Sequence, residues 1–313
     1  MAGRLTHRLL TSLVVLIGVL LVGFLMLQVM PADPAAAIAG AQGTAEEIAA
    51  IRRHLGLDQP VMVQFALYLF RVVQGDLGSS IINNASVLTE LVKAAGPTLE
   101  LMCAAMAWAL PLGLVLGIVA ALKRGGLIDR AVMAVSVAGV SLPVFWVGLL
   151  LVQFAARTHA FPIQGRNGPV LSLEGFPHVV LPAVTLGLIL LGPIARMTRT
   201  TLSEALNADH VRTARAKGAG PVRIVLHHAL RTALLPIITL IGLQVGMLMG
   251  GAVVTETIFS WPGVGRLAVS AISSGDYPMA QGAILFLATA FILVNVVVDL
   301  LSELADPRLR GRA

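Results

Sequence analysis

The sequence predicts an all-α fold, a polytopic membrane protein with six transmembrane helices. Two observations carry that prediction. Of 313 residues, 57% are hydrophobic and 12% are charged, whereas a soluble domain typically carries about 25% charged residues. So few charges cannot clothe a water-facing globule, and a bilayer must cover much of the surface. In addition, six stretches lack Asp, Glu, Lys and Arg for roughly the 20 residues that a helix rising ~1.5 Å per residue needs to cross a ~30 Å hydrocarbon core.

The first stretch, Leu9 to Met30, is longer than the apolar run of a signal peptide, roughly 7 to 15 residues, and reads as a retained anchor. Leu101 to Leu122 and Ala131 to Ala156 are the second and third spans. Val179 to Ala195 is the shortest and must borrow flanking residues, and Thr232 to Thr255 and Tyr277 to Val298 complete the set. With the N-terminus inside, most of the 22 Lys and Arg residues fall on the cytoplasmic side, among them Lys123, Arg124, Arg130 and Arg308. Much of the outside charge sits in a long segment that counts little toward topology, so both termini are expected in the cytoplasm. The expected divisions are residues 1–30 for the N-terminus and first span, 31–98 for an extracytoplasmic helical segment, and 99–313 for a core of five spans.

Other classes fall away on composition. The net charge of +6 and pI near 10.4 follow from charge asymmetry across a membrane, since no basic cluster is interleaved with aromatics as a nucleic-acid surface would be. The single cysteine, Cys103, offers neither a disulfide nor a multi-thiol metal site. No phosphate loop is present: the lysines Lys93, Lys123 and Lys217 precede Ala94, Arg124 and Gly218 rather than Ser or Thr. No His precedes Glu as in a zinc protease, and the adjacent His227 and His228 diverge on a helix. Neither a catalytic constellation nor a metal site is expected.

Two exposed segments are well punctuated. In residues 31–98, Thr44 and Glu47 have capping-box spacing and Gly56 follows the run Ile48 to Leu55. A second helix starts near Pro60, carries Phe65, Tyr68, Leu69 and Val72 on one face, and ends at Gly75. Two readings fit: amphipathic helices resting on the membrane or the outer mouth, or a docking surface for an external partner. In the cytoplasmic loop 203–231, Ser203 to Lys217 reads as a helix capped by Ser203 or Asn207, with Glu204 and Asp209 early and Arg215 and Lys217 late. Gly218 supplies a left-handed closing residue, and Gly220 and Pro221 make a turn. Val222, Val225, Leu226, Ala229 and Leu230 form the apolar face of a second helix. Such an elbow fits a groove, and a merely solvated basic loop is the competing reading.

For a substrate pathway, the fifth span is the candidate. Gln244 sits mid-span among Gly242, Gly246, Gly250 and Gly251, with Met247 nearby and Glu256 toward the outer end where water reaches it. Small residues permit either close helix approach or a lumen.

The chain resembles the first permease subunit of the dipeptide, oligopeptide and nickel family of ABC importers. The resemblance runs from Met30-Pro31-Ala32-Asp33-Pro34 through Leu55 to Pro60, Gly75-Asp76-Leu77-Gly78 and Pro97-Thr98-Leu99-Glu100. It continues with Val211 to Gly218, Phe259 to Arg266, Asp276-Tyr277-Pro278, Val298 to Leu301 and Asp306-Pro307-Arg308. It implies the type I importer permease fold and places Asp209, Arg212, Thr213, Ala214, Lys217 and Gly218 in an EAA-type coupling loop that docks into an ATPase cleft. It departs at Thr232, where asparagine is usual, and at Arg212, Thr213 and Ala214, where the general pattern has glutamate and alanines. The implied partners are a homologous second permease subunit, two ATP-binding subunits that hold the ATP and Mg, an extracytoplasmic solute-binding protein and membrane lipid, with no cofactor in this chain. Implied substrates are dipeptides or oligopeptides, with nickel, metal chelates or glutathione as alternatives. An ATP-independent secondary carrier is the other class.

Overall fold

Long apolar stretches without charges satisfy their backbone groups internally as helices, and every regular element among the described residues is helical. The computed structural model describes residues 2–28, 34–39, 43–54, 56 and 58–305. Met30 to Asp33, Leu55, Leu57 and Asp306 to Arg308, which contribute to the family resemblance, lie outside them. In chain order the helices are α1 (Ala2–Gln28), α2 (Pro34–Ala39), α3 (Ala45–His54), α4 (Val61–Val73), α5 (Val87–Leu122), α6 (Leu127–Ser141) and α7 (Val144–Thr158). They continue as α8 (Phe176–Leu206), α9 (Asp209–Ala216) and α10 (Pro221–Arg223), then a π-helical turn Ile224–Ala229, α11 (Leu230–Ile258), α12 (Val264–Ser273) and α13 (Tyr277–Ala305).

Among the described residues, five helical stretches are long and apolar enough to cross a membrane: Leu10–Gln28, Val87–Leu122, Phe176–Leu206, Pro221–Ile258 and Tyr277–Val298. The fourth expected span does borrow flanking residues, since α8 runs well beyond Val179 and Ala195 at both ends. The third, Ala131 to Ala156, is not the single rod expected: α6 and α7 meet at 98°. Leu142 is extended at φ −83 and ψ 128. It precedes Pro143, whose ring excludes its neighbour from the helical region and which has no amide to continue the ladder. Counted as one span, this bent pair makes six.

The chain divides into two compact units, Met1–Thr98 with Pro262–Ile292, and Leu99–Trp261 with Leu293–Ala313. In the first unit, Leu27, Val87, Leu91, Val264, Met279 and Ala283 share one core. A side chain at Gly282 would meet Val87 Cγ1 at 2.4 Å, so only glycine lets α13 lie this close to the start of α5. The capping box forms as expected: Thr44 N donates to Glu47 Oε2 at 2.9 Å and Glu47 N to Thr44 Oγ1 at 3.2 Å. The Thr44 amide, and then its hydroxyl, hold the Glu47 carboxyl below its usual range. α4 buries Phe65 and Tyr68, with Leu69 and Val72 partly buried, as its pattern requires. Buried Asp276 pins the loop after α4, accepting from Ser80 Oγ and from Ile81 N. The Thr98 hydroxyl accepts from Val264 N at 2.9 Å, so two of the family motifs meet through a hydrogen bond within this unit.

In the second unit α8 is the central element, buried along much of its length. Small residues set the approach of its neighbours. A Cβ at Gly187 would lie 2.6 Å from the Trp108 ring, one at Gly117 2.5 Å from Thr198, and one at Gly251 2.6 Å from Ile189. Trp108 Nε1 donates to Ala183 O at 3.0 Å. The loop after α7 is held by a two-pronged ion pair, Arg166 Nε and Nη2 donating to Glu100 at 2.8 and 2.9 Å.

Candidate coupling site

The elbow begins at α9, two residues, Asn207 and Ala208, beyond the end of α8. The expected helix Ser203 to Lys217 is two helices. Ser203 does not cap anything: it is buried inside α8 and accepts from Arg124 Nη1 at 2.8 Å. Asn207 follows the last residue of α8, its side chain donating back to Ser203 O at 2.9 Å. Glu204 therefore belongs to the end of α8, and α9 starts afresh after Ala208 at φ −71 and ψ 152.

Gly218 has φ +81, the left-handed conformation an L side chain adopts at a cost. Around it, Ala219 N donates to Ala214 O and Gly218 N to Arg215 O, at 3.1 and 3.0 Å. That pair of bonds is a Schellman closure. No atom lies within 4 Å of a Cβ built at Gly218, so backbone conformation alone selects glycine there.

Packing makes the elbow stiff. Val211 and Ile224 are buried with Ala121 of α5, Leu202 and Ala205 of α8, and Ala233 and Ile237 of α11. Fully burying a Val or Ile contributes roughly 1.5–3 kcal/mol. The apolar face of the second helix differs from expectation. Val225, Ala229 and Leu230 pack inward as expected, but Val222 and Leu226 are exposed and Ile224 is buried in their stead. The cause is the π-helical turn, whose wider i→i+5 spacing places residues five apart on one side. Thr232 Oγ1 lies 3.4 Å from His210 Nε2 and donates to His228 O at 3.2 Å, tying α9 to the start of α11.

What faces outward is a mixed surface. Asp209, Arg212, Thr213 and Lys217 are exposed, with Asp209 and Arg212 only 3.7 Å apart, while Ala214 is buried against the core. Beside them Gly220, Pro221, Val222, Arg223, Leu226 and His227 line an open depression of about 680 Å³. An apolar floor edged by Arg223 and His227 is the kind of surface a protein partner covers.

Sequence reading missed a second set of contacts. Arg199 of α8 donates through Nε and Nη2 to Asp129 Oδ1 and Oδ2 at 3.0 and 2.7 Å. Asp129 also accepts from Gly125 N at 2.9 Å. The start of α6 is thus clamped to α8 seven residues before α8 ends. Residues 70 apart in sequence leave no local pattern, and the only hint was an arginine close to an apolar span.

The three pathway candidates do not share one surface. Gln244 is buried, and its Nε2 donates to Ile189 O at 3.3 Å. Ile189 stands four residues before Pro193, so its carbonyl lost its helical donor and Gln244 replaces it. Glu256 is fully buried rather than water-facing, contrary to expectation. Met247 is exposed, on a face with Leu243, Gly250 and Val254. Gly242 and Gly251 serve close approach, since a Cβ at Gly242 would lie 1.8 Å from Val298 Cγ1. Gly250 has open space.

Membrane-length helices with a stiff elbow that turns an open apolar depression outward define a multi-pass membrane protein. The family described as binding-protein-dependent transport system inner membrane component matches residues 113–311, and the corresponding N-terminal family matches residues 1–101. A di/tripeptide transport system permease protein of Pseudomonas aeruginosa is 45% identical, with 94% of each chain covered. A dipeptide transport system permease protein of Escherichia coli is 40% identical over 95% of each chain. A glutathione transport system permease protein of Salmonella typhimurium is 40% identical over 99% of each. The chain belongs to the family of inner membrane components of binding-protein-dependent transport systems, as a multi-pass permease subunit.

Proposed function

We propose that this chain is the permease subunit of an ABC importer that brings di- or oligopeptides across the cytoplasmic membrane. Its elbow at residues 203–231 receives the motion of separate ATP-binding subunits. The Schellman-closed turn at Gly218 supports this most directly, because a lever needs a stiff arm with an exposed outer surface. Asp209, Arg212, Thr213, Lys217 and Gly218 form the outward contact, with Ala214 as its buried support. Met247 and its exposed neighbours face the pathway or the second permease subunit. ATP and Mg belong to two partner subunits, and this chain carries no catalytic step and no cofactor. A homologous permease completes the pathway, a solute-binding protein delivers substrate to the outer face, and both termini lie in the cytoplasm.

A ligand or partner shifts a two-state equilibrium only through contacts that differ between the states. Crosslinking therefore tests the reading: a single cysteine at Arg215 or Leu226 should join to an ATP-binding subunit, with a yield that changes when nucleotide is trapped. An elbow that crosslinks to nothing while the transporter turns over removes the lever.

Glutathione is the second reading of the substrate, favoured by the Salmonella relatives that match end to end. Uptake of labelled dipeptide and labelled glutathione by cells carrying the intact importer separates the two, since one of them should compete with the other only weakly.

A further inference from the structure

We propose that α4 is immersed in the membrane leaflet at the Gln28 end of α1, with lipid acyl chains covering its outward face. α1 crosses the membrane over Leu10–Gln28. Phe24 and Leu20 lie about 6 and 12 Å below its last residue at ~1.5 Å per residue. α4 packs against those residues: Phe65 and Tyr68 ring centroids stand 5.5 and 6.2 Å from that of Phe24, and Leu20 belongs to the same cluster. At the end of the span Gln28 Nε2 donates to Gln64 Oε1 at 2.8 Å. The body of α4 from Phe65 onward therefore lies beside hydrocarbon-depth residues of α1, below the membrane surface.

The outward side of α4 is built for the same medium. Met62, Phe70 and Val73 are 65%, 62% and 85% exposed, and Val63 and Leu67 flank them. Gln64 and Arg71 are the only strongly polar residues in this helix, at the seam between its two apolar faces. The arginine stem is long enough for its guanidinium to reach toward headgroup phosphates. A water-facing helix keeps one polar face; a helix apolar on both sides is surrounded by apolar material. The exposed apolar face of α1, with Val14, Val22 and Met26, extends the same lipid-covered surface. This placement is independent of which substrate or ATPase the chain serves.

The test uses the full-length chain with the subunits that co-purify with it, in nanodiscs, with Cys103→Ala removing its one native thiol. Phe70→Cys, Val73→Cys and, as a control in the turn before α4, Asp58→Cys are each labelled with bimane. Labels at 70 and 73 should lose most of their fluorescence to lipids carrying an acyl-chain nitroxide and little to aqueous iodide, with the reverse at 58. Iodide quenching at 70 and 73 equal to that at 58 would place α4 in water and overturn the proposal. Shielding from both quenchers would overturn it in favour of a covering subunit. Loss of lipid quenching on adding the external binding protein would overturn it in favour of a docking face.

Discussion

The α3–α4 pair and the α9 elbow are closed in the same way yet face opposite surroundings. Each ends on a left-handed glycine, Gly75 at φ +78 and Gly218 at φ +81. Each closes with a bond five residues back, Asp76 N to Arg71 O and Ala219 N to Ala214 O. The difference lies in what is left uncovered. α4 packs on α1, with Leu285 of α13 in the same cluster, and leaves an apolar face bare, whereas the elbow packs on the ends of three helices and leaves a small apolar floor edged by Arg223 and His227. Local closure therefore tells where a helix stops, and the uncovered face tells what it meets.

The largest effect should come from breaking the elbow's closure. Gly218→Pro removes the amide that bonds Arg215 O and cannot adopt φ +81, so transport should be abolished while the protein still inserts. Gly218→Asn, which tolerates the left-handed region, should keep most of the uptake. Uptake assays with immunoblots of membrane fractions check both, and full transport by the proline variant would sink the lever.

Within α4 the two faces should respond unequally. Phe65→Ala opens a cavity against Phe24 and should cost about 3–5 kcal/mol, a clear drop in thermal unfolding temperature. Phe70→Ala, on the bare face, should change it little. Equal losses would mean that Phe70 is covered by protein.

A smaller effect is expected where the elbow's supporting helix meets α6. Arg199→Lys keeps a positive charge but loses the paired bonds to Asp129, and should cost roughly 1.5–3 kcal/mol, the range for a hydrogen bond to a charged group. Its informative readout is the number of substrates moved per ATP hydrolysed. A fall in that ratio with ATPase activity retained marks a positioning role, and an unchanged ratio makes the pair merely structural.

Much of this fold was legible because its signals are compositional or local. Hydrophobic runs of membrane length and the capping residues at Thr44, Glu47, Gly75 and Gly218 report on their own neighbourhoods, and the helices follow them. Three features were not legible. Pro143 breaks the third span, yet its uninterrupted apolar run masked the break. The π-helical turn brings Ile224 into line with Ala229 on the inward side and leaves Val222 and Leu226 outside, a change that tertiary packing with Val211 and Leu202 stabilises. Gln244 read as a polar group in a lumen because its purpose lies in a different helix, where Pro193 orphans a carbonyl. At the coupling site the chain turn was readable, while its clamp through Arg199 and Asp129 joins residues too far apart to show a pattern.

The smallest predicted change concerns the first turn of α3, whose residues 45–47 are exposed. Thr44→Ala removes the side-chain half of the capping box and should cost about 1 kcal/mol, local to this helix. The Glu47 carboxyl is held below its ordinary range when folded, so its contribution is present above the unfolded carboxylate pKa and lost as pH falls through the folded value. Protection of the amides at residues 45–48, taken against the intrinsic exchange rate at each pH, should therefore fall in acid for the native chain and already be low at neutral pH in Thr44→Ala. Exchange that is equally slow in both would show α3 to be held by contacts other than its cap, erasing the contrast with α9, whose buried Val211 anchors it whatever its cap does.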